Sequence, residues 1–329
     1  MHNFIVRLLS CFIWNKSKRR NFRNKYLMQK IAYTDKLEQN IKRYIDYKTN
    51  LILNTFFDIR DAKIATGDLR KIQLTTAILL GELDKICREN GIEYWLDYGT
   101  LLGAYRTGGF IPWDDDIDVG MMRKDFEKLQ QIIVNYKNFK LTEWLHLKNG
   151  FDIHCRVAKF CFNRNDLHLF VDIFPYDYCN CDNMQKYYDK YSTDKDLLRK
   201  DLEALNMPQY SFCACDNEND LKIINGVFEK YTKKYYSLDD GNTILYGMEN
   251  PYNPARRIFS KETIFPLKEI YFENHKYFIP NNTDKYLTVN FGDYLKIPNN
   301  VGVVRHPKYT NEEMDKISEI LSINKVRVE

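Results

Sequence analysis

Hydrophobic positions over residues 1–90 recur with the period of a helix. Near the start of the chain they form one apolar helix stripe, made of Phe4, Ile5, Leu8, Leu9, Phe12 and Ile13. Helical spacing returns over residues 26–57. A further helix is predicted from Leu69 to Asn90, because Gly67-Asp68 supplies a helix start and Gly91 supplies a C-terminal cap.

From residue 92 onward, short strands alternate with helices. The pattern predicts strands at residues 92–97, 117–122, 141–145, 153–162 and 168–174, with helical segments at 98–109 and 124–136. After about residue 182 helices predominate, followed by a mixed stretch at 258–295 and a terminal helix at 311–322. This order predicts an α+β fold, in which helices flank a small mixed sheet and a helical region is added.

Composition and charge narrow the class of protein. The chain has 329 residues, 44% of them hydrophobic and 29% charged, which suits one catalytic core with extensions and excludes general disorder. No apolar run reaches about 18 residues, so no transmembrane helix is predicted. The eight cysteines have no regular spacing, which predicts reduced thiols in a cytoplasmic compartment.

The positive charge is confined to the N-terminus. The net charge is +4, yet residues 1–34 contain eight Lys and Arg residues and no acid, so residues 35–329 carry −4. This distribution argues against a general nucleic-acid-binding surface. Six of the basic residues follow the apolar stripe directly: Lys16, Lys18, Arg19, Arg20, Arg23 and Lys25.

An apolar stripe followed by a basic cluster is typical of a helix that lies on an anionic membrane. We therefore expect residues 1–25 to hold the protein peripherally on the inner face of the cytoplasmic membrane. The alternative is a helix packed on the body of the protein or on a partner subunit. An export signal is disfavoured, because its basic residues would precede the apolar part.

A group of carboxylates carries the candidate chemistry. Asp114, Asp115, Asp116 and Asp118 lie within five positions, and strand alternation puts Asp116 and Asp118 on one face. Two such carboxylates form a clamp for Mg²⁺ or Mn²⁺. Asp172 interrupts an apolar strand, where a carboxylate is costly unless it is paired or bound to a metal.

A phosphate-binding turn is predicted just upstream. Gly99-Thr100 opens a helix after a strand, and free backbone N–H groups at such a turn bind phosphate. This turn, followed by Asp116-Ile-Asp118 and by Asp172 on a neighbouring strand, is the order found in metal-dependent nucleotidyltransferases. The alternatives are a solvated acidic loop or a calcium site, but the ligand spacing differs from that of helix-loop-helix calcium loops.

These segments resemble the LicD/fukutin family. The resemblance is strongest over residues 95–104 and 109–120, continues at 171–177, 265–268 and 286–294, and covers about residues 82–310. It implies a nucleotidyltransferase-like fold that transfers a phospho-substituent from a CDP-linked donor. In bacterial members, phosphocholine from CDP-choline is typically moved to a sugar hydroxyl of a surface glycan, possibly lipid-linked.

The resemblance also implies roles for individual residues. Asp116 and Asp118 would bind Mg²⁺ and the donor diphosphate, while Asp172 would complete the metal site or act as general base. Gly99, Thr100 and Arg106 would bind phosphate. Arg156, Lys159 and His306 are weaker donor-binding candidates, because surface charge or packing ordinarily explains such residues. Trp95 and Trp113 are candidates for stacking on a base or on choline, with core packing as the alternative.

The resulting domain scheme has four segments. A membrane-surface segment covers residues 1–30, a helical extension 31–66, a LicD-like catalytic domain 67–310, and a C-terminal helix 311–329. Two alternatives to phosphocholine transfer stay open: transfer of another CDP-linked group, such as glycerol or ribitol phosphate, and a non-catalytic scaffold that binds glycan or nucleotide. Cys179, Cys181, Cys213 and Cys215 could form a zinc site, but ordinary thiols are favoured, because one residue between paired ligands is tight.

Overall fold

The computed structural model describes residues 16–147, 154–180, 183–207, 210–215, 217–234, 240–251, 257–297 and 309–328. The predicted apolar stripe of residues 4–13 and the candidate His306 lie outside these ranges. The described residues fall into two units: residues 16–58 with 296–297, and residues 59–295 with 309–328.

The first unit is one long helix, α1 (Lys16–Phe56), which matches the helix predicted over residues 26–57 and begins earlier. Most of its side chains are exposed, including large apolar ones such as Tyr33 and Phe56. Asn54 anchors it to a later segment, because its side chain accepts a hydrogen bond from the backbone N–H of Ile297 at 2.8 Å. No helix in the described parts of the chain is both long enough and apolar enough to cross a membrane.

The second unit begins with α2 (Gly67–Glu89), β1 (Trp95–Leu96), α3 (Tyr98–Thr107), β2 (Asp118–Met122) and α4 (Arg123–Ile132). Three long strands follow: β3 (Phe139–Leu147), β4 (Cys155–Phe162) and β5 (Phe170–Cys179). The next elements are α5 (Met184–Ala204), β6 (Tyr210–Ala214), α6 (Glu218–Thr232), β7 (Thr243–Tyr246) and β8 (Ile258–Ser260). The chain continues with α7 (Lys261–Ile264), β9 (Lys268–Phe272), β10 (His275–Ile279), α8 (Thr283–Phe291) and α9 (Asn311–Ile323).

The described strands form one eight-stranded mixed sheet and a separate β9–β10 hairpin. The main order is β1-β2-β5-β4-β3-β6, with β7 paired to β5 and β8 paired to β7. The β2–β5 pair is parallel, and its register sets Asp118 opposite Asp172. The other pairs are antiparallel, among them β4–β5, in which Lys159 lies opposite Asp172.

Helices pack on this sheet through two main hydrophobic clusters. In the larger cluster, Leu79 and Leu83 of α2 are buried together with Val119 of β2 and Ile173 of β5. The second cluster joins α5 and α6 to the sheet through buried residues such as Leu198 and Phe228. Full burial of each such side chain contributes about 1.5–3 kcal/mol, so these clusters hold the strands that carry the carboxylates.

The predicted α+β fold class is confirmed, with two local differences. The region between residue 182 and the predicted mixed stretch at 258–295 contributes two strands to the main sheet, β6 and β7, and not helices alone. The β7 sequence Thr-Ile-Leu-Tyr is a short, wholly buried run, and such a run has no periodicity that separates strand from helix. The strand predicted at 92–97 has only two residues, because Asp97 already caps α3.

Candidate active site

The turn between β1 and α3 is built around a buried carboxylate. Asp97 has no exposed surface and accepts hydrogen bonds from the backbone N–H of Tyr98 at 2.7 Å and from the hydroxyls of Tyr176 and Tyr286 at 2.8 Å. Tyr98 has φ of 42°, a left-handed conformation that costs about 1–3 kcal/mol. The hydrogen bonds of Asp97 offset that cost and fix the start of α3.

Helix α3 in turn holds the strand that carries Asp118. The hydroxyl of Thr100, which is buried, accepts a hydrogen bond from the backbone N–H of Asp118 at 2.8 Å. The backbone N–H of Asp97 donates to the carbonyl of Asp118 at 2.9 Å. The Gly99-Thr100 turn therefore positions a carboxylate, in addition to any contact it makes with phosphate.

Three carboxylates converge at the end of the parallel strand pair. Asp116, Asp118 and Asp172 each offer one ligand oxygen, and these oxygens lie within 4.8 Å of one another. Asp118 is 9% exposed, while Asp116 and Asp172 are partly buried. The β2–β5 register sets Asp118 beside Asp172, and Asp116, at the end of the loop that precedes β2, adds the third oxygen. We name this group the carboxylate trio.

The electrostatics of the trio favour an added cation. Burial raises the pKa of Asp118 well above its usual value, and the charges of Asp116 and Asp172 raise it further. Lys159 supplies one positive charge, because its ammonium lies 2.5 Å from Asp172 Oδ1. The negative charge of the three carboxylates exceeds the single positive charge of Lys159. A divalent ion would balance the difference.

Lys159 is itself held in a buried aromatic setting. Its ammonium lies 3.3 Å from the ring centroid of Phe170 and 4.7 Å from that of Trp144. Ring faces attract a cation, so the two aromatic side chains fix the ammonium beside the trio. Of the two weaker donor-binding candidates among the described residues, Arg156 and Lys159, the structure places Lys159 at the carboxylates.

The loop that precedes β2 brings further acids to the site. Asp114, Asp115 and Asp116 form a second group whose ligand oxygens lie within 4.8 Å of one another. Asp114 is pressed against α3, since a Cβ atom at Gly99 would lie 2.6 Å from Asp114 Oδ2. Glycine at position 99 therefore allows the acidic loop to approach the helix, a reason for its presence that is distinct from phosphate binding.

Other predicted residues lie elsewhere in the fold. Arg106 donates to the backbone carbonyl of Tyr294, and burial lowers the pKa of its guanidinium. Arg156 bonds to Asn225 at 2.9 Å and lies 3.9 Å from Glu249, so its described contacts are away from the trio. Trp95 is wholly buried against Tyr176, which is the core packing given above as the alternative to stacking.

The zinc hypothesis gains no support from the described cysteines. Cys213 is exposed, the Cys215 sulfur lies 3.1 Å from the Tyr210 hydroxyl, and Cys181 lies outside the described residues. Among the described residues, the groups that could hold a metal ion consist of aspartates alone.

Asp97 is a buried polar residue of the site that the sequence pattern does not indicate as functional. Burial raises its pKa, while the Arg257 guanidinium and the two tyrosine hydroxyls lower it. The available signal was its place directly before a Gly-containing helix start, where Asp is a favoured N-cap. The predicted strand at residues 92–97 ends at this position instead.

The donor set indicates which ion the trio suits. Carboxylate oxygens are hard ligands, which favour Mg²⁺ or Mn²⁺ over soft metals that prefer Cys or His. Such an ion, held by Asp116, Asp118 and Asp172, would supply charge balance and polarisation for a phosphoryl oxygen. The site thus has the parts that phosphoryl transfer requires: acids for a metal, a fixed lysine and a helix N-terminus nearby.

Comparison with known proteins gives this fold and site a family. Residues 91–216 match the family model described as the LicD/FKTN/FKRP nucleotidyltransferase domain. This segment contains the β1–α3 turn and all three carboxylates. The resemblance to the LicD/fukutin family predicted from the sequence is therefore confirmed over residues 91–216.

Individual relatives cover different shares of the chain. Lipopolysaccharide cholinephosphotransferase LicD of Haemophilus influenzae is 28% identical over 250 residues, which are 70% of this chain and 92% of that protein. Human ribitol 5-phosphate transferase FKRP is 39% identical over 115 residues, 33% of this chain and 21% of FKRP. An uncharacterized protein of Rickettsia prowazekii is 42% identical over 64 residues, 20% of this chain and 24% of that protein.

Proposed function

We propose that the protein transfers a phosphate-linked substituent from a CDP-linked donor to a hydroxyl of a cell-surface glycan, with Mg²⁺ or Mn²⁺ held by Asp116, Asp118 and Asp172. The observation that carries the proposal is the convergence of these three carboxylates at the end of the parallel strand pair. Phosphocholine is the first candidate substituent, because the match to a cholinephosphotransferase spans most of both chains.

The residues of the site support defined roles in this reaction. Lys159 is a fixed cation beside Asp172, so we assign it to an oxygen of the donor phosphate. We assign Asp172 the roles of metal ligand and candidate base, because it lies beside the other two acids and its carboxylate pairs with Lys159. Thr100 and Asp97 keep the backbone of Asp118 in place through the hydrogen bonds described above.

Transfer of another CDP-linked alcohol phosphate is the second candidate. It is favoured by the match to FKRP, a protein named as a ribitol 5-phosphate transferase. A non-catalytic scaffold is disfavoured on physical grounds, since a binding scaffold has no use for three costly, converging carboxylates.

The test is metal-dependent CMP release by the pure protein with CDP-choline, CDP-glycerol and CDP-ribitol, each offered with glycan acceptors. We expect one donor to be preferred and turnover to stop when the metal is chelated. Asp116→Asn should be inactive, whereas Asp68→Asn, which changes an exposed acid on α2, should match the wild type. Metal-independent release, or more than a tenth of wild-type activity in Asp116→Asn, would overturn the proposal.

Attachment to an anionic membrane through residues 1–25 is a separate proposal. It is supported by the exposed side chains of Lys16, Lys18, Arg20, Arg23 and Lys25 at the start of α1. Each basic residue near such a surface contributes about 1 kcal/mol. Deletion of residues 1–25 should release the protein from anionic liposomes and preserve activity on a soluble acceptor. Continued sedimentation of the truncated protein with liposomes would contradict this proposal.

A further inference from the structure

The acidic loop, residues 108–116, is fastened to α2 by a buried glutamine. Gln73 is 1% exposed, and its Nε2 donates to the carbonyl of Asp114 at 2.7 Å and to that of Ile111 at 3.4 Å. A buried amide must use its hydrogen-bonding groups within the protein. The side-chain amide of Gln73 therefore donates to the backbone of the loop that carries Asp114, Asp115 and Asp116.

The same loop is fastened on another side by the tip of the β9–β10 hairpin. The backbone N–H of Glu273 donates to the carbonyl of Gly108 at 2.9 Å, and its carboxylate accepts from the backbone N–H of Phe110 at 3.2 Å. Glu273 has φ of 48°, and such hairpin turns ordinarily favour Asn or Gly. A glutamate in this unfavourable conformation indicates that its side chain serves a purpose.

Arg70 joins the two anchors. Its two terminal nitrogens bond to both carboxylate oxygens of Glu273 at 2.9 and 2.8 Å, and one of them also donates to Gln73 Oε1 at 3.3 Å. The Arg70 and Glu273 side chains are 13% and 9% exposed, so this forked pair is shielded from water. Arg70, Gln73 and Glu273 thus form one connected group, which we name the loop anchor.

We propose that Arg70, Gln73 and Glu273 are positioning residues, which hold the acidic loop where Asp116 meets Asp118 and Asp172. That the trio binds a metal for phosphate transfer rests on the proposed function, whereas the contacts of the loop anchor do not depend on it. None of the three touches the carboxylates of the trio in the contacts described. They act through the backbone of residues 108–114, and their loss should loosen the loop while every carboxylate is retained.

A cavity beside the loop anchor allows a specific test. It has a volume of about 690 Å³ and is lined by Arg70 and Glu273, together with parts of α2 and of the hairpin. In Arg70→Ala this space can admit methylguanidine, which restores the fork that Glu273 has lost. We expect hydrogen–deuterium exchange in residues 108–116 to become roughly 10-fold faster or more, and added methylguanidine to reverse the change.

Metal binding gives the second measurement. Mn²⁺ affinity, measured directly by calorimetry, should fall on the order of 10–100-fold in Arg70→Ala, as is typical when a group supporting metal ligands is removed. Gln73→Met keeps the buried volume but removes the amide, and it should produce the same two changes without rescue by methylguanidine. Lys71→Ala removes an exposed pair with Asp68 on the same helix and should change neither.

The two proposals can fail independently. Unchanged exchange of the acidic loop in both Arg70→Ala and Gln73→Met would overturn the inference, whatever the metal does. Faster exchange throughout the protein that methylguanidine does not reverse would also overturn it, because it would show a general loss of stability. If the loop responds as expected but the wild type binds no Mn²⁺ and turns over no donor, the loop anchor stands and the proposed function fails.

Discussion

Strand β5 carries two carboxylates, the partly buried Asp172 and the buried Asp177, and they belong to two clusters with a different balance of charge. Strand alternation puts them on opposite faces of the sheet. Asp177 accepts two hydrogen bonds from Arg123 at 2.9 Å, and Glu249 bonds to the same guanidinium. The charges that act most on Asp118, next to Asp172, are instead carboxylates.

The difference separates an ion-pair cluster that is balanced within the protein from an acidic site that could hold a cation. Burial alone raises the pKa of Glu249, but the charge and hydrogen bonds of Arg123, followed by the charge of Arg156, lower it to about 2. The cluster of Arg123, Arg156, Asp177 and Glu249 is thus neutralised by the protein itself. In the carboxylate trio burial and neighbouring acids both raise the pKa of Asp118, and the Lys159 ammonium beside Asp172 balances only part of the negative charge, so the trio could hold a cation.

The largest expected effect follows from removing one charge from the trio. Asp118→Asn should lower metal-dependent turnover on the order of 10³-fold or more, because a bound ion supplies several kcal/mol of transition-state stabilisation. The same change should raise the unfolding free energy of the metal-free protein, since it removes a buried, repelled charge. Urea denaturation and CMP release measure the two effects. A variant that is less stable without metal would contradict the charge argument.

Removing a charge from the neutralised cluster should have the opposite result. Glu249→Gln should lower the unfolding free energy by about 3 kcal/mol at pH 7, from a pKa near 2 in the fold against 4.5 ordinarily. Its carboxylate pKa is lowered by folding, so this stability is fully present above about pH 4.5 and is lost as the pH falls toward 2.

Urea denaturation of the wild type and Glu249→Gln at pH 7, 5 and 3 measures this difference. It should be full at the two higher pH values and reduced at pH 3. Turnover per folded molecule should be unchanged, because Glu249 belongs to the cluster on the other face. A difference that is independent of pH would show that packing, and not charge, accounts for the role of Glu249.

The sequence predicts the carboxylate trio but not the residues of the loop anchor, and the reason is physical. Asp116, Asp118 and Asp172 could be predicted because strand alternation and a costly acid in an apolar run are local signals. Lys159 was a weak candidate, since its partner Asp172 comes from the neighbouring strand. The bond between Arg70 and Glu273 joins positions 203 residues apart, and no local pattern indicates such a partner.

The same distinction applies to the fold. Helix α2 was predicted nearly to its ends, because Gly91 has φ of 58° and terminates it as a C-terminal glycine does. Strand β7 was missed, because its placement beside β5 is a tertiary property that four buried residues do not encode. A helix whose ends carry capping residues can be predicted from the sequence. A strand whose conformation depends on the strands beside it cannot.

The smallest expected effect is the stabilisation of the folded protein by metal. Mn²⁺ at about 100 times its dissociation constant should raise the unfolding free energy of the wild type by about 2.7 kcal/mol, because it binds the folded state alone. Glu249→Gln starts from a lower stability but should gain the same increment, since the two clusters lie on opposite faces and share no member. Asp118→Asn should gain little, because its trio has lost a ligand charge. Thermal or urea denaturation of the three proteins with and without Mn²⁺ measures all these increments. If Mn²⁺ raises the unfolding free energy of Asp118→Asn as much as that of the wild type, the ion binds elsewhere. If Mn²⁺ does not raise the unfolding free energy of Glu249→Gln, the two acidic clusters of β5 are coupled.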